Sequence, residues 1–355
     1  MDKLRFDSLQ GLRGIAALAV VLFHLRIVEF KYLQGTAFLD DIARYGSAGV
    51  DLFFVLSGFL MTTITAGRYI GPAAAGEFLG KRAWRVLPLY WIFTTLVVVL
   101  MAIVPSMVNS SYANQSVLAS YLLIPDRQMP ILSVGWTLVY EAYFYLVFAL
   151  AIALVAERFV PLYLFAWGTA IAVGSAMLQA DSPYALSVAT SSMTYEFIAG
   201  AFLGLYWHRI PAKLAWPLVM SGVLLAIGAA ALLPAGGPTT IDLWTQIGCF
   251  GGAGLLLIAG TVMLEAQGRL HLPTWLLRLG DSSYSLYLSH VFAISALGRV
   301  WGRVFTSPSW VNHLVFVVFA TIATCVAGYL VHRWLERPLL ALQYRKPWSA
   351  RQKVA

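Results

Sequence analysis

Residues 5–25, RFDSLQGLRGIAALAVVLFHL, form an apolar run long enough to cross a membrane, yet Arg13 and His24 lie inside it. About 20 predominantly apolar residues span a bilayer. Ionisable groups at that depth are costly, and they face a bundle interior or a water-filled cavity. Spacing adds a constraint. Eleven residues at about 100° each end roughly 20° past three full turns, so the two side chains share a helix face about 16 Å apart along the axis. A cation at one end of a face and a titratable imidazole at the other suits a long anionic ligand whose reactive end reaches inward. The plainer alternative is a snorkelling arginine and a histidine bonded to a neighbouring helix.

Composition supports the membrane reading. Of 355 residues, 60% are hydrophobic and only 11% charged. A soluble domain carries about 25% charged residues, so this chain cannot cover a water-facing surface. Its net charge of +8 does not call for nucleic acid, because cytoplasmic loops of membrane proteins are rich in Lys and Arg. Two cysteines, Cys249 and Cys325, both in apolar stretches, exclude a disulfide framework and a Cys-based metal site. No resident cofactor or metal is expected.

Ten apolar segments follow, near 10–28, 46–66, 84–104, 132–155, 160–179, 193–208, 214–233, 243–264, 283–304 and 311–333. The expected fold is all-α, a polytopic membrane protein of about ten transmembrane helices. Placing both termini inside gathers Arg68, Lys81, Arg82, Arg85, Arg209, Lys213, Arg269 and Arg278 into inner loops, and Arg333, Arg337, Arg345, Lys346, Arg351 and Lys353 into the inner tail. The outer loops are balanced or acidic apart from Arg299 and Arg303. The positive-inside rule therefore favours N-in and C-in. One membrane domain over 1–340 and a basic cytoplasmic tail over 341–355 are expected.

Further stretches put polar groups at depth. KRAWRVLPLYW (81–91) carries Arg82 and Arg85 at i,i+3, on one side of a helix. Two guanidinium groups so placed suit bidentate phosphate binding. GVDLFFVLSGFLM (49–61) starts with Asp51 near the outer end, where a carboxylate either orients the His24 imidazole or caps a helix. SVGWTLVYEAYFYL (133–146) sets Glu141 among Trp136, Tyr140, Tyr143 and Tyr145, and a buried carboxylate needs a partner. SYSLYLSH (283–290) places Ser285, Tyr287 and His290 on a late helix as substrate-binding candidates. His208, His271, His313 and His332 fall at helix ends or in a loop and read as interfacial.

These motifs together resemble the bacterial acyltransferase-3 family of integral membrane acyltransferases. The resemblance rests on the Arg-x10-His of Arg13 and His24, GVDLFFVLSGFL, the Arg-x-x-Arg of Arg82 and Arg85, WTLVYEAYFYL, SYSLYLSH, and LERPL at 335–339, and it covers nearly the whole chain. One departure stands in segment four, where many members have two adjacent acidic residues and this chain has Glu141 followed by Ala142. The chain is similar to the shorter members tied to exopolysaccharide or nodulation-factor acylation, without an appended hydrolase-like domain.

The resemblance implies transfer of an acyl group, most simply acetyl, from cytoplasmic acyl-CoA to a hydroxyl of an extracytoplasmic polysaccharide or lipid-linked sugar. The setting would be the bacterial inner membrane. Arg82 and Arg85 would meet the donor's phosphates with Arg13 at the mouth, and the thioester would lie near His24. His24 would act as base or transient acyl carrier, with Asp51 and Glu141 also in catalytic roles and Tyr287 a candidate oxyanion donor. A proton-coupled transporter or a flippase of a lipid-linked glycan is the competing reading. Against transport, no inverted repeat is visible. If Arg13 and His24 span one ligand, inserting one alanine after Leu18 turns one relative to the other by about 100°. Acyl transfer is then expected to collapse while membrane insertion persists, because a span tolerates one extra residue by tilting. Full activity would separate the two residues' roles.

Overall fold

With no water in the hydrocarbon to satisfy peptide groups, an apolar chain must close its backbone hydrogen bonds within each segment, which selects helices. The computed structural model describes residues 6–33, 38–67, 71–104, 115–179, 181–232, 242–305 and 309–345. Arg68, Lys346, Arg351 and Lys353 lie outside the described residues. All regular elements among the described residues are helical. Ten principal helices match the ten apolar segments: α1 Asp7–Tyr32, α2 Gly49–Thr65, α3 Gly71–Ile103, α4 Trp136–Leu154, α5 Val160–Met177, α6 Thr194–Tyr206, α7 Ala215–Leu232, α8 Gly252–Ala266, α9 Ser283–Val304 and α10 Trp310–Val331.

Eight of the helical stretches are long and apolar enough to cross a membrane. The other two principal helices are α6 and α9. Thirteen residues of α6 rise only about 20 Å, against a hydrocarbon core of about 30 Å. α9 is long enough, but its serines, histidine and arginines dilute its apolar character. Two boundaries differ from the sequence reading for a common reason. α3 begins thirteen residues before segment three, because GPAAAGEFLGKRA is too rich in small and charged residues to register as an apolar run. Its alanines, Glu77, Leu79, Lys81 and Arg82 are nonetheless good helix formers, and Pro72 falls in the first turn. α10 runs through a π-helical turn, His332–Glu336, into the helix Arg337–Arg345. An apolar window sees neither the start of α3 nor the continuation of α10. α8 is preceded by a π turn, Ile247–Gly251, which lies inside segment eight.

α1 is the hub. It packs against α2, α8, α9, α10 and the short helix Thr274–Asp281. Close approach there depends on Gly280, where an added Cβ would lie 1.9 Å from Gln10 O. α2 pairs with α6, α3 with α4, α7 with α8, and α9 with α10. α5 and α7 are the least enclosed, and Leu162, Phe165, Leu224 and Ile227 point outward as a lipid-facing helix requires. The α2–α6 seam is backbone against backbone. A Cβ on Gly58 would meet Phe197 O at 1.9 Å, and one on Gly200 would meet Val55 O at 2.0 Å. Small residues at such seams are how membrane helices gain van der Waals contact. Gly200→Leu is expected to split α6 from α2, with overpacking costing about 1–3 kcal/mol or more. The readout is a lower yield of monodisperse protein and a lower melting temperature in detergent.

Candidate functional site

The long α3 sets the first two site residues. Arg82 lies over the rings of Phe78 and Tyr145, 5.6 and 5.7 Å from their centroids. Arg85, one turn on, makes an ion pair at 3.4 Å with Glu336 in the π turn after α10. That carboxylate is 1% exposed. It also contacts His332 Nδ1 at 2.8 Å and accepts the Ser285 hydroxyl at 2.6 Å. The i,i+4 pair His332 and Glu336 thus faces α3 and α9 together. π turns recur at functional sites for this kind of redirection. The register of α9 against α3 is fixed one residue further, where the Tyr284 hydroxyl donates to Val86 O at 2.7 Å.

Arg82 and Arg85 border a cavity of about 850 Å3 between α1, α2, α3, α4 and α9. Arg13 enters it from α1, Glu141 from α4 and Tyr287 from α9. Glu141 accepts hydrogen bonds from Ser57 at 3.3 Å and, within its own helix, from Tyr145. Ser283 lines the same space with a buried hydroxyl that has no hydrogen-bond partner. A second space of about 1180 Å3 adjoins the cavity and shares Arg13 and Arg85 with it. Arg278, Arg333 and Arg337 complete this vestibule, with Asp281 as its only carboxylate among the lining residues. Five guanidinium groups around one open space make a strong anion site.

Further along α1, the His24 ring lies 4.8 Å from the ring of His290, centroid to centroid. His24 Nδ1 is 2.9 Å from Val20 O, and His290 Nδ1 is 2.7 Å from Tyr287 O. A carbonyl only accepts, so each Nδ1 carries a proton and each Nε2 of a neutral ring is left as an acceptor. His290 Nε2 is buried without a hydrogen-bond partner. The imidazoles are not in the cavity lining. They follow it, since Tyr287 borders the cavity and its ring is 5.9 Å from that of His290.

The structure therefore brings Arg13, Arg82, Arg85, Glu141 and Tyr287 around one cavity, with His24 and His290 paired beyond it. Three residues stand differently from the sequence reading. Asp51 does not orient the imidazole. Its carboxylate accepts from Gln246 Nε2 at 3.0 and 3.2 Å and lies against Glu196, while a backbone carbonyl holds His24. Ser285 is fully buried and gives its hydroxyl to Glu336, so it braces a carboxylate and does not face the cavity. The Tyr287 hydroxyl donates to Val134 O at 2.9 Å and meets Thr137 Oγ1 at 2.8 Å. Its proton is committed within the protein, which removes it as an oxyanion donor in this geometry.

Sequence reasoning missed Glu336, His332, Tyr145 and three of the vestibule arginines, Arg278, Arg333 and Arg337. One signal was present: Glu336 is the lone acid among the basic residues after segment ten. Among the described residues, no group of three or more His, Cys, Asp or Glu is arranged to hold a metal ion.

Comparison with known proteins bears on what this arrangement does. The chain is 33% identical over 311 residues to the exopolysaccharide production protein ExoZ of Rhizobium meliloti (strain 1021), covering 83% of this chain and 90% of that protein. It is 28% identical to acyltransferase MdmB of Streptomyces mycarofaciens, over 96% of this chain and 93% of that protein. It is 26% identical to nodulation protein 10 of Rhizobium leguminosarum bv. viciae, over 88% of this chain and 86% of that protein. No solved structure matches the chain. The acyltransferase-3 model, described as an acyltransferase domain, matches residues 6–333, a range that takes in every site arginine but Arg337, the histidine pair and Glu141, and the chain belongs to that family as a multi-pass membrane O-acyltransferase.

Proposed function

We propose that the protein transfers an acyl group, acetyl in the simplest case, from cytoplasmic acyl-CoA to a carbohydrate hydroxyl on the far side of the bacterial inner membrane. The carbohydrate would be a polysaccharide or a lipid-linked sugar. The observation that carries this reading is the continuity of anion site and base. The five-arginine vestibule opens through Arg13 and Arg85 into the cavity. Arg13 and His24 then lie on one helix face about 16 Å apart along the axis. Nucleotide phosphates sit among the arginines, the pantetheine arm follows α1 through the cavity, and the thioester meets His24.

His24 Nε2 then takes the proton of the acceptor hydroxyl as the oxygen attacks the thioester carbonyl. The carbon–sulfur bond breaks, and the imidazolium returns the proton to the departing thiolate, giving the ester and free CoA thiol. The Val20 carbonyl holds the proton on Nδ1 throughout and so keeps the ring in the productive tautomer. Glu141 balances the arginines in the cavity and leaves the larger positive excess in the vestibule, where the phosphates belong.

His24→Ala is expected to lower acetyl transfer at least about 100-fold, the lower bound for losing a general base. Gel filtration and acetyl-CoA binding should be unchanged. Near-normal turnover of labelled acetyl-CoA would remove His24 from the chemistry. A separate variant, Arg333→Ala, addresses the phosphate site in the vestibule. A charge-assisted hydrogen bond is worth about 1.5–3 kcal/mol, so the KM for acetyl-CoA is expected to rise roughly 10- to 100-fold with little change in the KM for acceptor. An unchanged donor KM would leave Arg333 as a topology signal only.

A further inference from the structure

α3 and α4 run antiparallel, and this defines the two ends of the bundle. Arg82 meets Tyr145 at the vestibule end. About 12 Å along α3, the Tyr90 hydroxyl donates to Ser120 O at 2.7 Å, and its ring closes on Gly135, where an added Cβ would touch it at 2.9 Å. At this second end, away from the vestibule arginines, lies another cavity.

The lining has two characters. Trp136 and Tyr140 of α4 supply an aromatic wall, with ring centroids 5.9 Å apart and planes at 87°, and Tyr184 adds a third ring. Asp126, Arg127 and Gln128 supply a polar wall from the loop between α3 and α4. The loop is held in place. Ile131 N–H donates to Ser120 Oγ at 3.0 Å, and Gln128 N–H to Asp126 Oδ1 at 3.2 Å. Arg127 donates to Ser182 O at 3.2 Å, tying the loop to the segment that carries Tyr184.

Rings beside a carboxylate, a guanidinium and a carboxamide match the two faces of a sugar. Its C–H face packs on an aromatic surface, and its hydroxyls need donors and acceptors together. A phosphate ligand would call for cations without the carboxylate, and an acyl chain for no charge at all. We propose that this cavity is a saccharide subsite, holding a sugar residue of the acceptor glycan that flanks the one acylated. The inference rests on the reading of the acceptor as a carbohydrate. It also gives α4 a place between two ligands. Trp136, Val139 and Tyr140 border the saccharide cavity, while Thr137, Leu138 and Glu141 border the cavity assigned to the donor. The two sets fall on different arcs of a 3.6-residue helix.

The test measures saccharide binding directly, so that it does not depend on turnover. The full chain in nanodiscs is titrated with oligosaccharides of two to eight sugars from chemically de-esterified neutral and acidic bacterial exopolysaccharides. A parallel arm uses a prenyl-diphosphate-linked disaccharide, and saturation-transfer NMR reads both. Binding to the parent and to His24→Ala is expected, with roughly tenfold weaker binding in Trp136→Ala and in the surface variants Tyr184→Ala and Gln128→Ala. Acetyl-CoA binding should hold in all of them. Stronger binding in the prenyl arm, lost in the same variants, would identify a lipid-linked glycan as the occupant. Binding without any acetyl transfer would sink the proposed function and leave the subsite standing. No binding by any member of the panel, or binding indifferent to all three variants, would overturn the subsite.

Discussion

The carboxylate of Glu336 holds the site together. It is nearly inaccessible, and it ties Arg85 of α3, Ser285 of α9 and His332 of its own π turn into one node. A buried charge of this kind is tolerated only when paired and hydrogen-bonded, and removing one partner leaves the other at a cost of about 3–5 kcal/mol. The node also fixes where the free positive charge goes. Arg85 stands at the junction of cavity and vestibule, so its orientation decides whether the two spaces read as one path. Against the five arginines of the vestibule stand Glu336 behind one of them and Asp281 at the rim, which leaves an excess for an anionic ligand.

α9 shows why the site and the membrane pattern pull against each other. Ser283, Ser285, Tyr287 and His290 are all buried, so its polar face looks inward at α1, α3 and the π turn. That face is what takes α9 below the apolarity expected of a spanning helix. Polar residues inside a membrane protein are affordable where neighbouring helices satisfy them, and here most are satisfied. Three buried groups of α9 have no partner: the Ser283 hydroxyl in the cavity, His290 Nε2 beside His24, and the Ser289 hydroxyl next to it in the chain.

Much of this was legible in the sequence, for identifiable reasons. Apolar runs located the segments of all ten principal helices, eight of them in stretches long and apolar enough to span, because the bilayer imposes length and composition on each segment independently. The shared face of Arg13 and His24 followed from helical periodicity alone, and both meet the side of α9. What failed was pairing between segments. Asp51 and His24 both stood near an outer end, and proximity to an end says nothing about which neighbour a side chain faces. Asp51 turns to Gln246 and Glu196 because α2 docks on α6 through Gly58 and Gly200. Glu336 was passed over because charge counting across a tail treats each residue as a topology signal. A π turn, which no apolar window detects, swings it back into the bundle.

The histidine pair follows from the same packing. α1 is the hub, so a residue on its inner face meets whichever helix docks there, and at His24 that helix is α9. Each ring gives its Nδ1 proton to a carbonyl of its own helix, three or four residues back. This leaves two imidazoles in contact, each with only an acceptor nitrogen to offer. Two neutral acceptors gain nothing from facing one another. Under the proposed mechanism, a proton taken up by one ring would leave the other as a neutral acceptor beside it. The charged pair would then be better matched than the neutral one, and an interaction that strengthens only as a reaction proceeds is one that lowers its barrier.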